Sequence, residues 1–351
     1  MFKFGFEIDD ADVDDELDFI VSGAKPHPTS SETIPDQKPC QELSLNDLLH
    51  TLPPSISYSP IFVPIEESEE KVILARRDLF DARFQVISQA NEGPSEADNE
   101  ADLAFFDDPS DLVPNVYEGG LKTWECSLDL VNYLRTKGLD KRLHGKRIVE
   151  FGCGTAVPSL YVLQQLFSAS PSEEKTEVHL QDYNQSVISL VTLPNIIFAW
   201  YFSPASSTYR STSDESEDDS HQTISTPGDI DLTPELKAAF LASLSSLNIS
   251  LRLFCGSWET FPHASPYDIV LTSETIYRPE SLPSLVGLLR TVGLGKDALC
   301  LVAAKLVYFG VGGGVEDFLD AVRSAEGGKA ETMWETRKGV GRAVISVSWG
   351  T

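Results

Sequence analysis

The stretch KRIVEFGCGT, residues 146–155, constrains the fold of this chain more than any other. Its apolar run has the length and β-branched content of a buried parallel strand, and it runs straight into Gly152 and Gly154. Glycines there let the backbone approach a ligand closely, and the helix expected from Ala156 points its free N–H groups towards that ligand. Taken alone, the pattern fits an adenosyl cofactor, a dinucleotide or a tight strand-to-helix turn.

Further predicted strands and helices alternate along the chain. Strands are expected at 146–151, 177–181, near 249–255, at 267–272 and at 298–304, with helices at 121–136, 156–168, 184–201, 281–293 and after Gly314, and extended segments at 330–337 and 341–349. This alternation predicts an α/β fold, a Rossmann-like, doubly wound sheet of seven strands. The sheet should be mostly parallel, with an antiparallel C-terminal hairpin strand.

The first 111 residues differ in composition from the rest. Residues 7–18 carry acids and no base, and a Pro/Ser/Thr-rich piece follows at 24–39, which together predict an acidic, largely irregular extension. The acidic run is interpreted as a solvated tail or as a docking segment. The second interpretation is supported by the alternating Phe2, Phe4 and Phe6.

Shorter patterns subdivide the chain further. Within the extension, a helix capped by Ser44 is expected at 44–52, and 72–79 and 83–87 are expected as a hairpin or strand. Residues 91–111 have the composition of a linker. The ordered domain is therefore predicted to span 112–351, interrupted at about 203–230 by a disordered Ser/Thr-rich insertion whose acids cluster at 214–219.

Charge and cysteine content narrow the classes of partner. A net charge of −27 disfavours direct DNA or membrane binding and favours a basic protein partner. Five scattered cysteines and six scattered histidines give no disulfide framework and no metal site. The beginning of the sequence has no apolar secretion signal, so we expect a cytoplasmic and nuclear protein, acting as a monomer.

Polar residues that follow each predicted strand are the candidates for chemistry, because ligands bind at the carboxyl ends of parallel strands. These candidates are Glu150, Gly152 and Gly154 after the first strand, Asp182 and Asn184 after the second, Trp258 after the third, Ser273, Glu274 and Tyr277 after the fourth, and Lys305, Tyr308 and the run 310–314 after the fifth. Asp182 suits ribose hydroxyls, although Asp182 or Asn184 could instead be a helix N-cap. Trp258 suits an adenine face or an interior position. The glycine run suits the flexible wall of a peptide site better than a phosphate loop.

Several of these stretches occur together in the order found in one family. They are YEGGLKTWEC at 117–126, QDYN at 181–184, VTLPN at 191–195, LTSETIY at 271–277 and YFGVGGG at 308–314, preceded by FKFGF at 2–6. The combination resembles the protein-histidine N-methyltransferases, a group of the seven-β-strand S-adenosylmethionine-dependent methyltransferases. The resemblance covers about residue 116 to the end, plus the extreme amino terminus.

The resemblance implies the cofactor S-adenosylmethionine and a histidine of a large-subunit ribosomal protein as the methyl acceptor. It implies that Trp124 and Glu125 cap the cofactor, and that Glu274 and Tyr277 lie at the transfer centre. Lys305, Tyr308, Phe309, Gly312 and Gly313 would then shape the substrate wall. The sequence departs from the family pattern in two places: Ala156 replaces a third glycine, and Leu306-Val307 replaces an expected Ala-His pair.

Other functions stay open at this point. A lysine methyltransferase of the same group shares the fold, and an acidic ribosome-assembly chaperone would use the same charge. A dinucleotide oxidoreductase is the most distant alternative, because no hydride-transfer residues stand out. If an adenosyl cofactor binds, replacing Glu150 or Gly152 is expected to abolish its binding, which calorimetry can measure.

Overall fold

The structure is a computed structural model that describes residues 38–90, 120–213, 222–295, 298–309 and 312–350. Several sequence-based expectations fall outside these residues. They concern the acidic run 7–18, Phe2, Phe4 and Phe6, the linker 91–111, and the acidic cluster at 214–219.

An eight-stranded sheet forms the centre of the molecule, in the order β1-β7-β5-β4-β8-β9-β11-β10. Its strands are β1 (Gln41–Leu43), β4 (Arg147–Phe151), β5 (Thr176–Asp182), β7 (Ile249–Cys255), β8 (Ile269–Ser273), β9 (Leu299–Lys305), β10 (Gly328–Thr336) and β11 (Arg342–Trp349). The five central strands are parallel. Strand β11 runs antiparallel to both β9 and β10, which confirms the predicted Rossmann-like sheet with its C-terminal hairpin.

Helices cover the sheet on both faces. They are α1 (Leu45–Thr51), α2 (Leu79–Ala90), α3 (Glu125–Thr136), α4 (Val157–Ser168), α5 (Gln185–Val187), α6 (Leu193–Tyr201), α7 (Ser207–Ser213), α8 (Pro234–Ser246), α9 (Leu282–Val292) and α10 (Val315–Ser324), with a π-helical turn at Ile188–Thr192 between α5 and α6. Two large apolar clusters result, one on each side of the sheet. Among the described residues no single helix is long and apolar enough to span a membrane.

Residues 38–90 are ordered, contrary to the expectation that the ordered core starts near residue 112. Their first strand, β1, is the eighth strand of the main sheet, where it pairs antiparallel with β7 and covers that edge. The other strands, β2 (Ser55–Pro64) and β3 (Lys71–Arg77), form a separate three-stranded sheet with β6 (Gly228–Asp231). The expected disordered insertion at 203–230 is thus wrong for its two ends, since 204–213 are helical and 228–231 form a strand.

Helix α6 gives the physical reason why residues 38–90 are ordered. Its sequence LPNIIFAWY is apolar on every side, so both of its faces must be buried. Helices α4 and α8 pack against α6, and so does the three-stranded sheet, with the ring of Tyr58 on β2 centred 5.3 Å from that of Phe198. The three-stranded sheet therefore completes the core of the α/β domain.

Three local predictions can be compared with the structure. Helix α1 is capped as predicted, because the Ser44 side chain accepts a hydrogen bond from the backbone N–H of Asp47. Residues 83–87 lie in helix α2, so the strand expected there is wrong. Helix α3 starts at Glu125, not at residue 121, because the preceding residues Gly120 to Trp124 pass over the main sheet as an irregular segment.

Candidate active site

The carboxyl ends of the central parallel strands meet at one edge of the main sheet, and most of the predicted site residues lie there. A Cβ built on Gly152, after β4, would lie 2.5 Å from the Thr275 methyl group after β8 and 3.9 Å from the Trp258 ring after β7. The loops that follow three strands thus converge on Gly152. This convergence forms the cleft that the strand order predicts.

The glycine loop after β4 needs small residues for two reasons. Gly152 and Gly154 have φ of +58° and +51°, which is left-handed backbone that favours glycine. In addition, a Cβ on Gly154 would lie only 3.1 Å from the carbonyl oxygen of Gly120, in the segment that crosses above the loop. Ala156 takes the place of the third glycine at φ +60°, a conformation that costs an alanine about 1 kcal/mol. The fold therefore tolerates this departure at a small local cost.

Gln181 organises the cofactor side of the cleft, and sequence reasoning missed its role. Its side-chain oxygen accepts hydrogen bonds from Trp258 Nε1 at 2.9 Å and from the Gly152 backbone nitrogen at 3.3 Å. Its amide nitrogen donates to the Gly256 carbonyl at 2.7 Å. The signal in the sequence is a polar residue facing inward at the end of a strand that is otherwise buried.

Asp182 is the last residue of β5, one residue later than the predicted strand end, and Asn184 follows the strand as predicted. The two carboxylate oxygens of Asp182 accept from the backbone nitrogens of Gly154 at 3.0 Å and Asn184 at 3.2 Å. Asn184 occupies the N-cap position of α5, yet its side chain makes no capping hydrogen bond, and its Nδ2 is buried with no partner among the described residues. Each carboxylate oxygen has a second lone pair, so the prediction that Asp182 binds ribose hydroxyls is compatible with this geometry.

Glu150 is completely buried within β4. One oxygen accepts from the Ser159 backbone nitrogen at 2.9 Å and so holds the first turn of α4, while the other has no partner in the part of the chain described. Burial raises the pKa of Glu150 to about 8, because the charged carboxylate is poorly solvated there. This residue lies under the glycine loop and anchors the loop to the helix.

Glu274, like Ala156, has a left-handed backbone conformation. It follows Ser273, the last residue of β8, and has φ +59°, which is rare for a residue with a side chain. Its carboxylate accepts from the Tyr308 hydroxyl at 2.6 Å and from the Cys126 backbone nitrogen at 3.4 Å. Burial, together with the negative charge of Glu274, holds the pKa of the Tyr308 phenol well above its usual range. Tyr308 therefore stays protonated and donates to Glu274.

Residues 307–309 and 312–314, called the hairpin below, pair with each other and lie against Glu274 and its neighbours. Val307 and Gly314 pair across its base, and the Tyr308 nitrogen donates to the Gly313 carbonyl at 2.9 Å. A Cβ on Gly313 would lie 2.3 Å from the Tyr277 carbonyl oxygen, so the hairpin packs directly on the backbone after β8. Phe309, next to Tyr308, is 85% exposed. The hairpin thus brings Tyr277, Tyr308, Gly312 and Gly313 together and leaves Phe309 facing solvent.

Trp124 and Glu125 lie at the start of α3, on the opposite side of Glu274. The Lys305 ammonium group lies 4.9 Å from the centre of the Trp124 ring, which links the end of β9 to this helix. Glu125 forms an ion pair with Arg342 at 3.3 Å. Arg342, on β11, pairs with Asp129 as well, at 2.6 Å. Sequence reasoning did not identify Arg342, because a basic residue in a C-terminal strand carries no motif.

The residues at this edge fit an adenosyl cofactor. Gly152 and Gly154 carry no side chains at the end of β4, Trp258 donates a hydrogen bond to Gln181, and the Asp182 carboxylate accepts one from the Gly154 nitrogen. Two buried polar atoms without a described partner, Asn184 Nδ2 and Glu150 Oε1, lie on residues at the same strand ends. A ligand with ribose hydroxyls, an aromatic base and a charged amino-acid end would satisfy such groups.

Comparisons with known proteins support the same conclusion. No protein-family model matches the chain. Solved structures include magnesium protoporphyrin IX methyltransferase from Synechocystis, which is 9% identical, covers 76% of this chain and 92% of its own, and has a TM-score of 0.37. That similarity is too low to add to the assignment.

Curated sequences are much more similar. Histidine protein methyltransferase 1 of Saccharomyces cerevisiae is 32% identical over an alignment that covers 90% of this chain and 89% of the relative. The Schizosaccharomyces pombe protein of the same name is 32% identical over 86% of this chain and 83% of its own length. The rat homolog is 30% identical over 92% of this chain and 75% of its own. The chain therefore belongs to the histidine protein methyltransferase 1 family.

Proposed function

We propose that this protein transfers a methyl group from S-adenosylmethionine to an imidazole nitrogen of a histidine in a basic large-subunit ribosomal protein. The observation that carries the proposal is the placement of Glu274. Glu274 has left-handed backbone, its carboxylate is fixed by the Tyr308 hydroxyl and the Cys126 backbone nitrogen, and the next residue, Thr275, packs against Gly152 of the glycine loop. Backbone strain of this kind is typical of functional sites.

The residues at the carboxyl ends of β4, β5 and β7 would hold the cofactor. The glycine loop with Gly152 and Gly154 would lie against the amino-acid end, the Asp182 carboxylate would accept from the ribose hydroxyls, and Trp258 would cover the adenine. The remaining cofactor residues are Trp124, Glu125, Glu150, Asn184 and Ser273. Bound S-adenosylmethionine supplies a methyl group on a sulfonium centre, which a nitrogen lone pair can attack without prior activation by a base.

Glu274 meets the needs of a histidine acceptor. A neutral imidazole, with a pKa of about 6.5, already has one free lone pair at neutral pH, so no strong base is required. What the site must do is fix the tautomer and aim the lone pair, and orientation of this kind contributes roughly 7–11 kcal/mol to catalysis. Glu274 accepts the N–H of the other ring nitrogen, and its charge stabilises the positive charge that the ring gains on methylation.

The substrate side is formed by the hairpin and the residues after β8. Tyr277 and Tyr308 present aromatic surfaces to the target side chain, with Lys305 behind them, while Phe309, Gly312 and Gly313 line the entrance. Support for a basic protein substrate comes from the net charge of −27, which attracts a basic partner and repels nucleic acid. Such a monomeric enzyme would act in the cytoplasm and nucleus, where large-subunit proteins are made and assembled.

The test uses large-subunit ribosomal proteins from cells that lack this protein. They are incubated with the purified protein and isotopically labelled S-adenosylmethionine, and peptides are analysed by mass spectrometry. We expect one labelled histidine with the unmodified protein and none with Glu274→Gln. Label on a lysine would instead identify a lysine methyltransferase of the same group.

The acidic charge also favours a second role, as a chaperone of the same basic protein before its assembly into the ribosome. Pull-down of the substrate in the absence of cofactor separates the two roles. Binding by Glu274→Gln as strong as that of the unmodified protein, combined with no methylation by either, would favour the chaperone alone.

A further inference from the structure

Two carbonyl groups of the glycine loop are held by side chains from the helix that follows β5. The Thr192 hydroxyl donates to the Gly154 carbonyl at 2.7 Å, and the Asn195 side-chain nitrogen donates to the Thr155 carbonyl at 3.0 Å. Both side chains are completely buried. Thr192 ends the π-helical turn and Asn195 lies in the first turn of α6, so the two donors stand three residues apart on one helical face.

Arg77, the last residue of β3, connects the three-stranded sheet to the same helical segment. Its backbone nitrogen donates to the Asn195 side-chain oxygen at 2.7 Å, and its Nη1 donates to the Leu190 carbonyl in the π-helical turn at 2.9 Å. The Arg77 guanidinium is buried and also contacts Asp81 at 2.6 Å and Gln85 at 2.7 Å, both on α2. A continuous chain of buried hydrogen bonds thus runs from β3 to the glycine loop.

The loop has a physical need for this support. Gly152, Gly154 and Ala156 all have left-handed backbone, and Ala156 is strained there because it carries a side chain. A π-helical turn is itself an irregularity that is found mostly at functional sites. Held carbonyls oppose relaxation of the loop towards less strained backbone, so the cleft keeps its shape before the cofactor enters.

We propose that Thr192, Asn195 and Arg77 are positioning residues that set the glycine loop for the cofactor, an inference that rests on the function proposed above. None of the three needs to touch the cofactor. Residues 38–90 are then part of the cofactor-binding unit, which gives a role to a region where the sequence has no recognisable motif. The hydrogen bonds that link Arg77 to the helical segment 190–195, and Thr192 and Asn195 to the glycine loop, are together called the loop brace below.

Thr192 provides the sharpest test, because valine replaces only its hydroxyl group and leaves the Gly154 carbonyl unpaired. Affinity for S-adenosylmethionine is measured by calorimetry on the full-length protein. Loss of one buried hydrogen bond predicts binding about fivefold weaker for Thr192→Val. Thr192→Ser keeps the hydroxyl and should retain the affinity of the unmodified protein.

Ser203→Ala is the matched control. Ser203 is also buried, and its hydroxyl donates to the Trp200 carbonyl at 2.7 Å, at the far end of α6. This variant loses a hydroxyl of the same kind with no link to the loop. Hydrogen exchange of the backbone amides at 152–156, measured without cofactor, should become faster in Thr192→Val and stay unchanged in Ser203→Ala.

Arg77→Lys extends the test to the three-stranded sheet. Lysine has a single ammonium group and cannot contact Leu190 and α2 at the same time as the planar guanidinium does. We therefore expect weaker cofactor binding and faster hydrogen exchange of the backbone amides at 152–156. The Thr192 variants keep the test decisive even where the arginine variant does not fold. Affinity and exchange in Thr192→Val equal to those of the unmodified protein would overturn the loop brace, whereas an unmodified protein that binds no S-adenosylmethionine would overturn the proposed function itself.

Discussion

The two sides of the cleft are built in different ways. The cofactor wall, residues 150–156, 181–184 and 258, is buried or half-buried, and hydrogen bonds within the protein join Gln181 and Asp182 to the glycine loop and to Trp258. The substrate wall, residues 274–277, 305–309 and 312–314, combines one fixed carboxylate with a hairpin in which Phe309 is exposed. A cofactor of constant shape suits a preformed surface, and a protein substrate suits a surface that it can still contact and cover. Substitutions in the two walls should therefore affect different steps.

The largest effect is expected from Glu274→Gln in the substrate wall. Glutamine keeps the size of the side chain and removes its charge, so the target imidazole loses the group that orients it and stabilises its positive charge. Steady-state turnover should fall by at least about 100-fold. Calorimetry should at the same time give an affinity for S-adenosylmethionine within about twofold of the unmodified protein, as expected for an interaction of about 0.4 kcal/mol or less.

Gly313→Ala should disturb the position of the hairpin. The added Cβ would lie 2.3 Å from the Tyr277 carbonyl oxygen, and backbone cannot move aside as a flexible side chain can. We expect the KM for the protein substrate to rise about tenfold, which corresponds to roughly 1.4 kcal/mol. Gly287→Ala is the control, because a Cβ there meets no atom within 4 Å in the described part of the chain. A KM that stays the same in Gly313→Ala would mean that the hairpin does not contact the substrate.

Gln181→Leu should weaken the cofactor wall alone. Leucine fills a similar space but leaves Trp258 Nε1 and the Gly152 nitrogen without their acceptor. Cofactor affinity should fall by about tenfold, the effect of one or two lost buried hydrogen bonds. Turnover at saturating cofactor should be retained. Calorimetry and initial rates measure the two effects, and a loss of turnover that saturating cofactor does not restore would be inconsistent with this assignment.

The raised pKa of Glu150 predicts that the stability of the protein depends on pH. Its pKa is about 8 in the folded protein, compared with about 4.3 in an unfolded chain. Between these values the folded protein holds a proton that the unfolded chain has released, so this residue makes the free energy of unfolding fall as pH rises. Glu150→Gln keeps an acceptor for Ser159 and removes that slope. The free energy of unfolding, measured by denaturant titration, should differ less between pH 5 and pH 8 in Glu150→Gln than in the unmodified protein. An equal difference in the two proteins would contradict the buried position of Glu150.

The smallest effect is expected from Ala156→Gly. Glycine removes the strain of the left-handed backbone at φ +60°, and its greater freedom in the unfolded chain offsets part of the gain. The net stabilisation should be about 0.5 kcal/mol, measured by chemical denaturation. Ala199→Gly, inside helix α6, should instead destabilise by roughly 0.5–1 kcal/mol, because no strain is relieved there.

The sequence predicted the main sheet well, because the buried strands and their helices have strong local periodicities. It predicted the N-terminal region badly. Composition pointed to an irregular extension, yet β2 and β3 are required by α6, whose apolar surface extends all round the helix. That requirement is readable in the sequence, but the identity of the covering strands is not, since β6 lies more than 160 residues from β2 along the chain.

The residues of the candidate site also divide into those that the sequence could predict and those that it could not. Strand ends place Gly152, Asp182 and Glu274 at one edge, and these positions follow from topology. The hydrogen bonds of Gln181 and Tyr308 depend on tertiary geometry, so sequence alone assigned no role to Gln181 and placed Tyr308 only in the substrate wall. Arg77 and Thr192 lie further from any motif, because their contacts join segments that no local pattern relates.

The separation of the two walls is tested most directly by one measurement, the single-turnover rate of methyl transfer at saturating S-adenosylmethionine. The rate is compared for the unmodified protein, Gln181→Leu and Glu274→Gln with the same protein substrate. We predict that Gln181→Leu keeps the rate of the unmodified protein, while Glu274→Gln is slower by at least about 100-fold. Equal losses in both variants would contradict the account, because the two walls would then act as a single unit.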